Sequence, residues 1–180
     1  MKKPKLTILF SAEQIRRRLN RLSDEIAGAC KGRPLVTVAV LKGSYVFLAD
    51  LARLLSARGI HVVVDFLALS SYGSRTSSSG NVSLLHDLSI PLKGKTVLLL
   101  DDILDSGLTM KVAVALLRNK GARTVKTCVL LDKPSRRLTP VTADFVGFKV
   151  DNVFVVGYGL DFNNHYRHLP YIAKLESPHD

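Results

Sequence analysis

A chain of 180 residues with 47% hydrophobic content can bury a substantial core without cross-links, and its two cysteines, Cys30 and Cys128, show no metal-ligand spacing. No stretch approaches the apolar length of a membrane span, and the run Leu6 to Phe10 is too short for a secretory leader, so a cytoplasmic protein with reduced core cysteines is expected. The 26 basic and 15 acidic residues leave a net charge of +11, which suits small polyanionic substrates or nucleic acid and does not decide between them.

Ser11 with Gln14 makes a capping box before a helix of about twenty residues, with Ile15, Leu19, Leu22 and Ile26 as its apolar stripe. Leu35 to Leu41 is a short apolar strand, Tyr45 to Arg58 a helix, and Gly59 is placed to end it. Ile60 to Leu69 returns as a strand, and Val82 to His86 is a shorter one. Between them Ser70 to Gly80, SSYGSRTSSSG, is a low-complexity segment whose composition predicts mobility. Thr96 to Leu100 is a strand apolar on both faces, and a helix is expected from about Met110 to Lys120, stopped by Gly121. Thr124 to Leu131 is another strand, with short ones near Phe145 and Phe154. Strands alternating with helices predict an α/β fold with a mostly parallel central sheet, and neither a repeat nor a second domain is visible.

The most informative stretch is VLLLDDILDSGLT, Val97 to Thr109. A buried strand runs into two adjacent carboxylates, Asp101 and Asp102, and a third, Asp105, follows in a loop with Ser106, Gly107, Leu108 and Thr109. Burying acids is costly unless they meet solvent, a metal or a polar ligand. The loop behind them offers hydroxyls and backbone N–H groups at a helix N-terminus, which suits a phosphate. Turn formation and capping explain any one of these residues, but a cap needs one acid and three lie within five positions. Together they describe a site for a phosphorylated sugar at the carboxyl end of a strand, where such sheets bind ligands.

DDILDSGLT resembles the phosphoribosyl pyrophosphate motif of type I phosphoribosyltransferases. Phe145 to Ile172, FVGFKVDNVFVVGYGLDFNNHYRHLPYI, is similar to the purine-binding end of the hypoxanthine–guanine branch of that family. Leu41 to Leu51 and Ser70 to Gly73 match two further segments in the expected order. The resemblance implies one domain over residues 1–180, with a small C-terminal purine-binding hood and a loop at 70–80 that closes over the site. It implies transfer of a 5-phosphoribosyl group from phosphoribosyl pyrophosphate, with Mg2+, to a 6-oxopurine.

Carried over by position, Lys42 and Gly43 would form the pyrophosphate loop, which in the family often follows a cis peptide. Ser71, Tyr72 and Arg167 would also reach the pyrophosphate. Asp101 and Asp102 would hold the ribose hydroxyls, directly or through the metal. Ser106, Gly107, Leu108 and Thr109 would hold the 5′-phosphate, and Asp105 would be the general base. Lys133 would donate to the 6-oxo group, Phe154 would stack on the ring, Val155 would offer its carbonyl, and Asp161 would help bind a second magnesium. Phe154 also reads plainly as a core aromatic, Arg167 as a surface arginine, and Asp161 as a turn residue. Leu108 stands where some relatives carry a basic residue, which implies altered phosphate affinity but the same reaction.

Two other functions stay open from these residues, a xanthine-preferring transferase and a nucleic-acid-binding regulator on the same fold. The charges are dispersed, clustering only at Lys2–Lys5, Arg16–Arg21 and Lys133–Arg137, and aromatics are sparse, so nucleic acid is not the expected partner. The family habit points to a homodimer or homotetramer.

Overall fold

The capping box sets the first helix. The Ser11 amide donates to Gln14 Oε1 at 2.8 Å, and the Gln14 amide donates to Ser11 Oγ at 3.2 Å. The computed structural model describes residues 4–30, 33–71 and 82–176. In chain order these form β1 (Lys5–Phe10), α1 (Ala12–Cys30), β2 (Leu35–Leu41), α2 (Tyr45–Ala57), β3 (Val62–Ser71) and β4 (Val82–His86). There follow β5 (Thr96–Leu104), α3 (Leu108–Asn119), β6 (Thr124–Asp132), β7 (Phe145–Lys149), β8 (Val155–Val156) and β9 (Ile172–Glu176).

Six strands make the central sheet in the order β4-β3-β2-β5-β6-β7, parallel except for the edge strand β4. This is the α/β architecture with a mostly parallel sheet that the sequence predicts. Alternate residues of β5 feed two cores. Leu98 and Leu100 pack with the buried stripe of α1 and with Phe47, Leu51 and Leu55 of α2. Val97 and Leu99 pack with Met110, Ala113 and Leu117 of α3. Each fully buried Leu, Val, Phe, Ile or Met among these contributes about 1.5–3 kcal/mol relative to exposure. Cys30 and Cys128 are free thiols buried in this interior, and burial raises the Cys30 thiol pKa and drives that of Cys128 far up.

Element ends differ from expectation where capping decides them. At the end of α2, Gly59 takes φ +74° and donates to Ser56 O, while the Ile60 amide donates to Leu55 O. This double closure makes Ile60 part of the helix cap. The strand therefore begins at Val62 rather than Ile60. Gly107, at φ +85°, is the N-cap of α3, which starts at Leu108 rather than near Met110. Most important, β5 does not stop before the acids but runs through Asp101 and Asp102 to Leu104.

The hood is not purely C-terminal. Its antiparallel sheet has the order β1-β9-β8, with Lys5 opposite Glu176, so the Leu6–Phe10 run supplies an edge strand that periodicity alone did not reveal. Phe10 stacks on Phe148 of β7, ring centroids 4.1 Å apart, and so ties the hood to the sheet. Among the described residues, no helix is long and apolar enough to cross a membrane.

Candidate active site

Strand order creates the site. From β2 the chain winds to β3 on one side, whereas β5, β6 and β7 build out on the other, so the order reverses between β2 and β5. Ligands bind in such crevices beyond the carboxyl ends of the strands. Pairing of β5 with β2 ends at Ala39–Leu100, yet β5 stays paired with β6 as far as Leu104–Asp132. The two strands therefore fork beyond Leu100. The fork is lined by Lys42 and Gly43 from the end of β2 and by Asp101 to Asp105.

Asp101 is 6% exposed, and its Oδ1 accepts the Asp102 amide at 3.0 Å. Burial, reinforced by the charge of Asp102, holds its carboxyl well above the usual carboxylate range. Burial also raises Asp102, although the hydrogen bond with Asp101 and the charge of Arg167 pull the other way. Neither acid makes an ion pair among the described residues. Two adjacent, desolvated carboxyls without a cation fit a hard divalent ion or a set of hydroxyl donors. Among the described residues no three acidic, histidine or cysteine side chains converge as a ready metal cluster.

The Leu41–Lys42 peptide is cis, as the resemblance implies, and Lys42 is exposed. Gly43 has no room for a side chain, since a Cβ there would stand 1.5 Å from Asp102 Oδ2. Beyond the acids, Asp105, Ser106, Gly107 and Thr109 line the same cavity, of about 430 Å³. The amides of Ser106, Gly107 and Thr109 have no intramolecular acceptor among the described residues, as expected for the first turn of a helix. Leu108 donates its amide to Ser106 Oγ at 3.4 Å and does not line the cavity.

A second cavity, of about 450 Å³, adjoins the first and shares Asp102, Ile103, Asp105 and Asp161 with it. Lys133, Phe154 and Val155 line it. Lys133 is 7% exposed and donates from Nζ to the Val153 carbonyl at 2.7 Å, and burial lowers its pKa. Phe154 is no core aromatic: it is half exposed and meets Phe162 edge to face, with centroids 5.6 Å apart. Val155 is buried in β8 and pairs with Lys174. Arg167 is no surface arginine. It donates to Gly159 O and pairs with Asp161 Oδ1, both at 2.7 Å. Asp161 Oδ2 accepts the Asn164 amide at 2.7 Å, so both its oxygens are engaged. Ser71 closes β3 opposite Val82, whereas Tyr72 to Gly80 lie outside the described residues.

The structure adds three residues that sequence reasoning passed over. Arg136 pairs with Asp105 Oδ1 at 3.2 Å and lines the second cavity. Arg137 donates to the Asp105 carbonyl at 2.9 Å and the Leu104 carbonyl at 3.2 Å, and it also pairs with Asp132. Of the Lys133–Arg137 cluster, Lys133 and Arg137 are thus turned inward on the site, while Arg136 stays exposed. Gly159, at φ +98°, packs so closely on the β2 turn that a Cβ would lie 2.1 Å from Gly43 O. Its signal was a glycine two residues before the acid of the Gly-Leu-Asp run.

A family model described as a phosphoribosyl transferase domain matches residues 6–163. The hypoxanthine-guanine phosphoribosyltransferase of Aquifex aeolicus is 46% identical over 173 residues, covering 96% of each chain. That of Bacillus subtilis is 41% identical over 94% of this chain and 92% of its own. Among solved structures, a hypoxanthine-guanine phosphoribosyltransferase from Bacillus anthracis superimposes with a TM-score of 0.90 at 40% identity, covering 97% of this chain and all of that one. A hypoxanthine phosphoribosyltransferase from Trypanosoma cruzi gives 0.91 at 38% identity, over 98% and 95%. With the acidic fork, the open amides at the helix start and the lysine-lined second cavity in the same chain, the protein belongs to the phosphoribosyl transferase domain family and, within it, to the hypoxanthine-guanine phosphoribosyltransferases.

Proposed function

We propose that the protein salvages purines by transferring the 5-phosphoribosyl group of phosphoribosyl pyrophosphate to hypoxanthine and guanine, releasing pyrophosphate. The observation that carries this is the pair of adjoining cavities with Asp102 and Asp105 at their junction. One cavity suits a phosphorylated sugar and the other a flat base, so the anomeric carbon and the attacking ring nitrogen would meet beside Asp105.

In this scheme the open amides at the start of α3, with Ser106 and Thr109, hold the 5′-phosphate, and Lys42, Gly43, Ser71, Tyr72 and Arg167 hold the pyrophosphate. Asp101 and Asp102 orient the ribose hydroxyls. The C–O bond to pyrophosphate breaks as a purine imidazole nitrogen bonds to the anomeric carbon, and Asp105 takes the proton that nitrogen gives up. Arg136 and Arg137 hold Asp105 in place. Lys133 exchanges the Val153 carbonyl for the purine 6-oxo group, which a 6-amino group could not replace as acceptor. Phe154 stacks on the ring, and Val155 offers its carbonyl to the far edge.

The buried acids fit Mg2+, which would be held by Asp101 and Asp102 and would offset charge on the departing pyrophosphate. Asp161, whose oxygens each accept one bond, from Arg167 and from the Asn164 amide, would keep lone pairs with which to join. We place the reaction in the cytoplasm, in keeping with two free buried thiols. A homodimer or homotetramer is expected, supported by an apolar groove of about 580 Å³ between α1, α2 and the hood that Ile15, Leu19 and Leu54 line.

The test is turnover with phosphoribosyl pyrophosphate and magnesium against hypoxanthine, guanine, xanthine, adenine and uracil, with Asp105→Asn alongside. Hypoxanthine and guanine should react, adenine and uracil should not, and the variant should lose about a hundredfold or more. A clear preference for xanthine would move the assignment to that base. Folded protein inert toward every base would favour the nucleic-acid-binding regulator.

A further inference from the structure

The end of the sheet opposite the acids carries a separate cavity. It lies where β2, β3 and β5 begin and measures about 450 Å³, within the usual range of small-molecule pockets. Its floor is apolar: Leu35 and Val36 from β2, Val63 from β3, and Pro34. Its rim carries Arg33, His61, Lys95 and Arg123 and no carboxylate.

Two features mark this rim. Several basic side chains elsewhere are answered by acids, as Arg16 and Arg17 are by Glu13, Lys120 by Asp87 and Lys126 by Asp144. None of the four rim residues makes an ion pair among the described residues. Their main chain is also fixed by hydrogen bonds. The Arg33 amide donates to Cys30 O at 3.1 Å, the Leu35 amide to His61 O at 2.9 Å, and the Arg123 amide to Lys95 O at 2.9 Å. Unpaired positive charges gathered over an apolar floor make a surface that attracts an anion carrying an apolar part.

The chemistry selects the occupant. A bare inorganic anion would leave the apolar floor uncovered, and a purely apolar ligand would leave the cations unanswered. A run of stacked bases would find only the His61 ring to stack on. We propose that this cavity binds a free nucleoside polyphosphate, its base and sugar over Leu35, Val36 and Val63 and its phosphates between Arg33, Lys95 and Arg123. The assignment uses part of the +11 charge that phosphoribosyl transfer leaves unexplained, and it does not depend on that reaction.

The experiment titrates the full chain with ATP by calorimetry, with inorganic tripolyphosphate and a single-stranded oligoadenylate as comparison ligands. Lys95→Glu/Arg123→Glu should bind ATP at least about tenfold more weakly while phosphoribosyl transfer stays unchanged. The amide resonances of Gly94 and Thr96 should move with ATP in the starting protein, and ATP should bind more tightly than tripolyphosphate. Arg33→Gln, which removes one exposed charge and adds none, should weaken ATP by about threefold and guards against a double variant that misfolds. Absence of ATP binding, or ATP affinity unaltered in both variants, overturns the proposal. Tripolyphosphate binding as tightly as ATP overturns the role of the apolar floor. Oligoadenylate binding more tightly than ATP, and losing that affinity in the variants, makes the face a nucleic-acid surface instead.

Discussion

Gly43→Ala tests whether the turn after β2 and the Asp102 carboxylate act as one mechanical unit. The added methyl would stand 1.5 Å from Asp102 Oδ2 and 2.5 Å from its Cγ. Ordinary contact begins at 3.4 Å, so the nearer oxygen must retreat by about 1.9 Å if the turn holds still. The turn has little freedom to yield toward the hood, because Gly159 already packs on the Gly43 carbonyl. Overpacking of this kind costs about 1–3 kcal/mol. For a chain of this size that is a fall in Tm of roughly 2–12 °C. The functional cost should be larger, since misplacing a reacting group by about 1 Å can cost about a hundredfold. Steady-state conversion of hypoxanthine, followed by ultraviolet absorbance beside thermal melts, should show kcat/KM down by about a hundredfold or more with that modest loss of Tm. Gly43→Ala/Asp102→Ala removes the clash, so it should recover at least about 1 kcal/mol of stability relative to additivity while staying inactive. Turnover of Gly43→Ala within about threefold of the starting protein, at an unchanged Tm, would refute the reasoning, because Asp102 would then swing freely.

Asp101→Asn should stabilise the protein at neutral pH. A carboxyl whose folded pKa is raised carries no penalty below its unfolded pKa, and the penalty grows as pH rises from there through the folded value. Thermal melts without added divalent cation should show a gain of about 1 kcal/mol at pH 7 that vanishes near pH 4, and a gain constant with pH would contradict the assignment of cause. Lys133→Met should lower kcat/KM for hypoxanthine by about two orders of magnitude and narrow its lead over adenine. An undiminished lead would move the 6-oxo contact elsewhere. Ser11→Ala removes the side-chain half of the α1 cap and should cost about 1 kcal/mol with activity intact, read by urea unfolding.

The sheet and most of its helices were legible because each element carries its own local signal. α1 has a capping box and an apolar stripe, and α2 and α3 end at glycines that take positive φ. Asp101 to Thr109 was legible as a site because three acids and a small-residue loop violate what a buried strand wants. The hood was only half legible. β1 and β9 pair Lys5 with Glu176 across nearly the whole chain, and two five- or six-residue strands give no periodicity that names a partner. Arg136 and Arg137 were hidden for a different reason. Charge clusters read as solvated surface, and only tertiary contact shows that exposed Arg136 pairs with the Asp105 carboxylate while part-buried Arg137 donates to its carbonyl. The continuation of β5 through its acids depends on a neighbour as well, since β6 keeps pairing after β2 has let go.

That parting of β2 from β5 has a consequence for how the molecule tolerates change. The crevice is a gap in the ladder of main-chain bonds, so no single side chain holds it open and no single replacement closes it. Lys133, Phe154 and Val155 line the second cavity from the turn after β6 and from the hood, on segments other than the strand that carries the acids. On the proposed assignment, the residues that would choose the base can therefore be exchanged while the acids stay where the backbone put them. Under that assignment the scaffold would separate what must remain constant for sugar chemistry from what can drift toward a new purine, and selection could act on the second without dismantling the first.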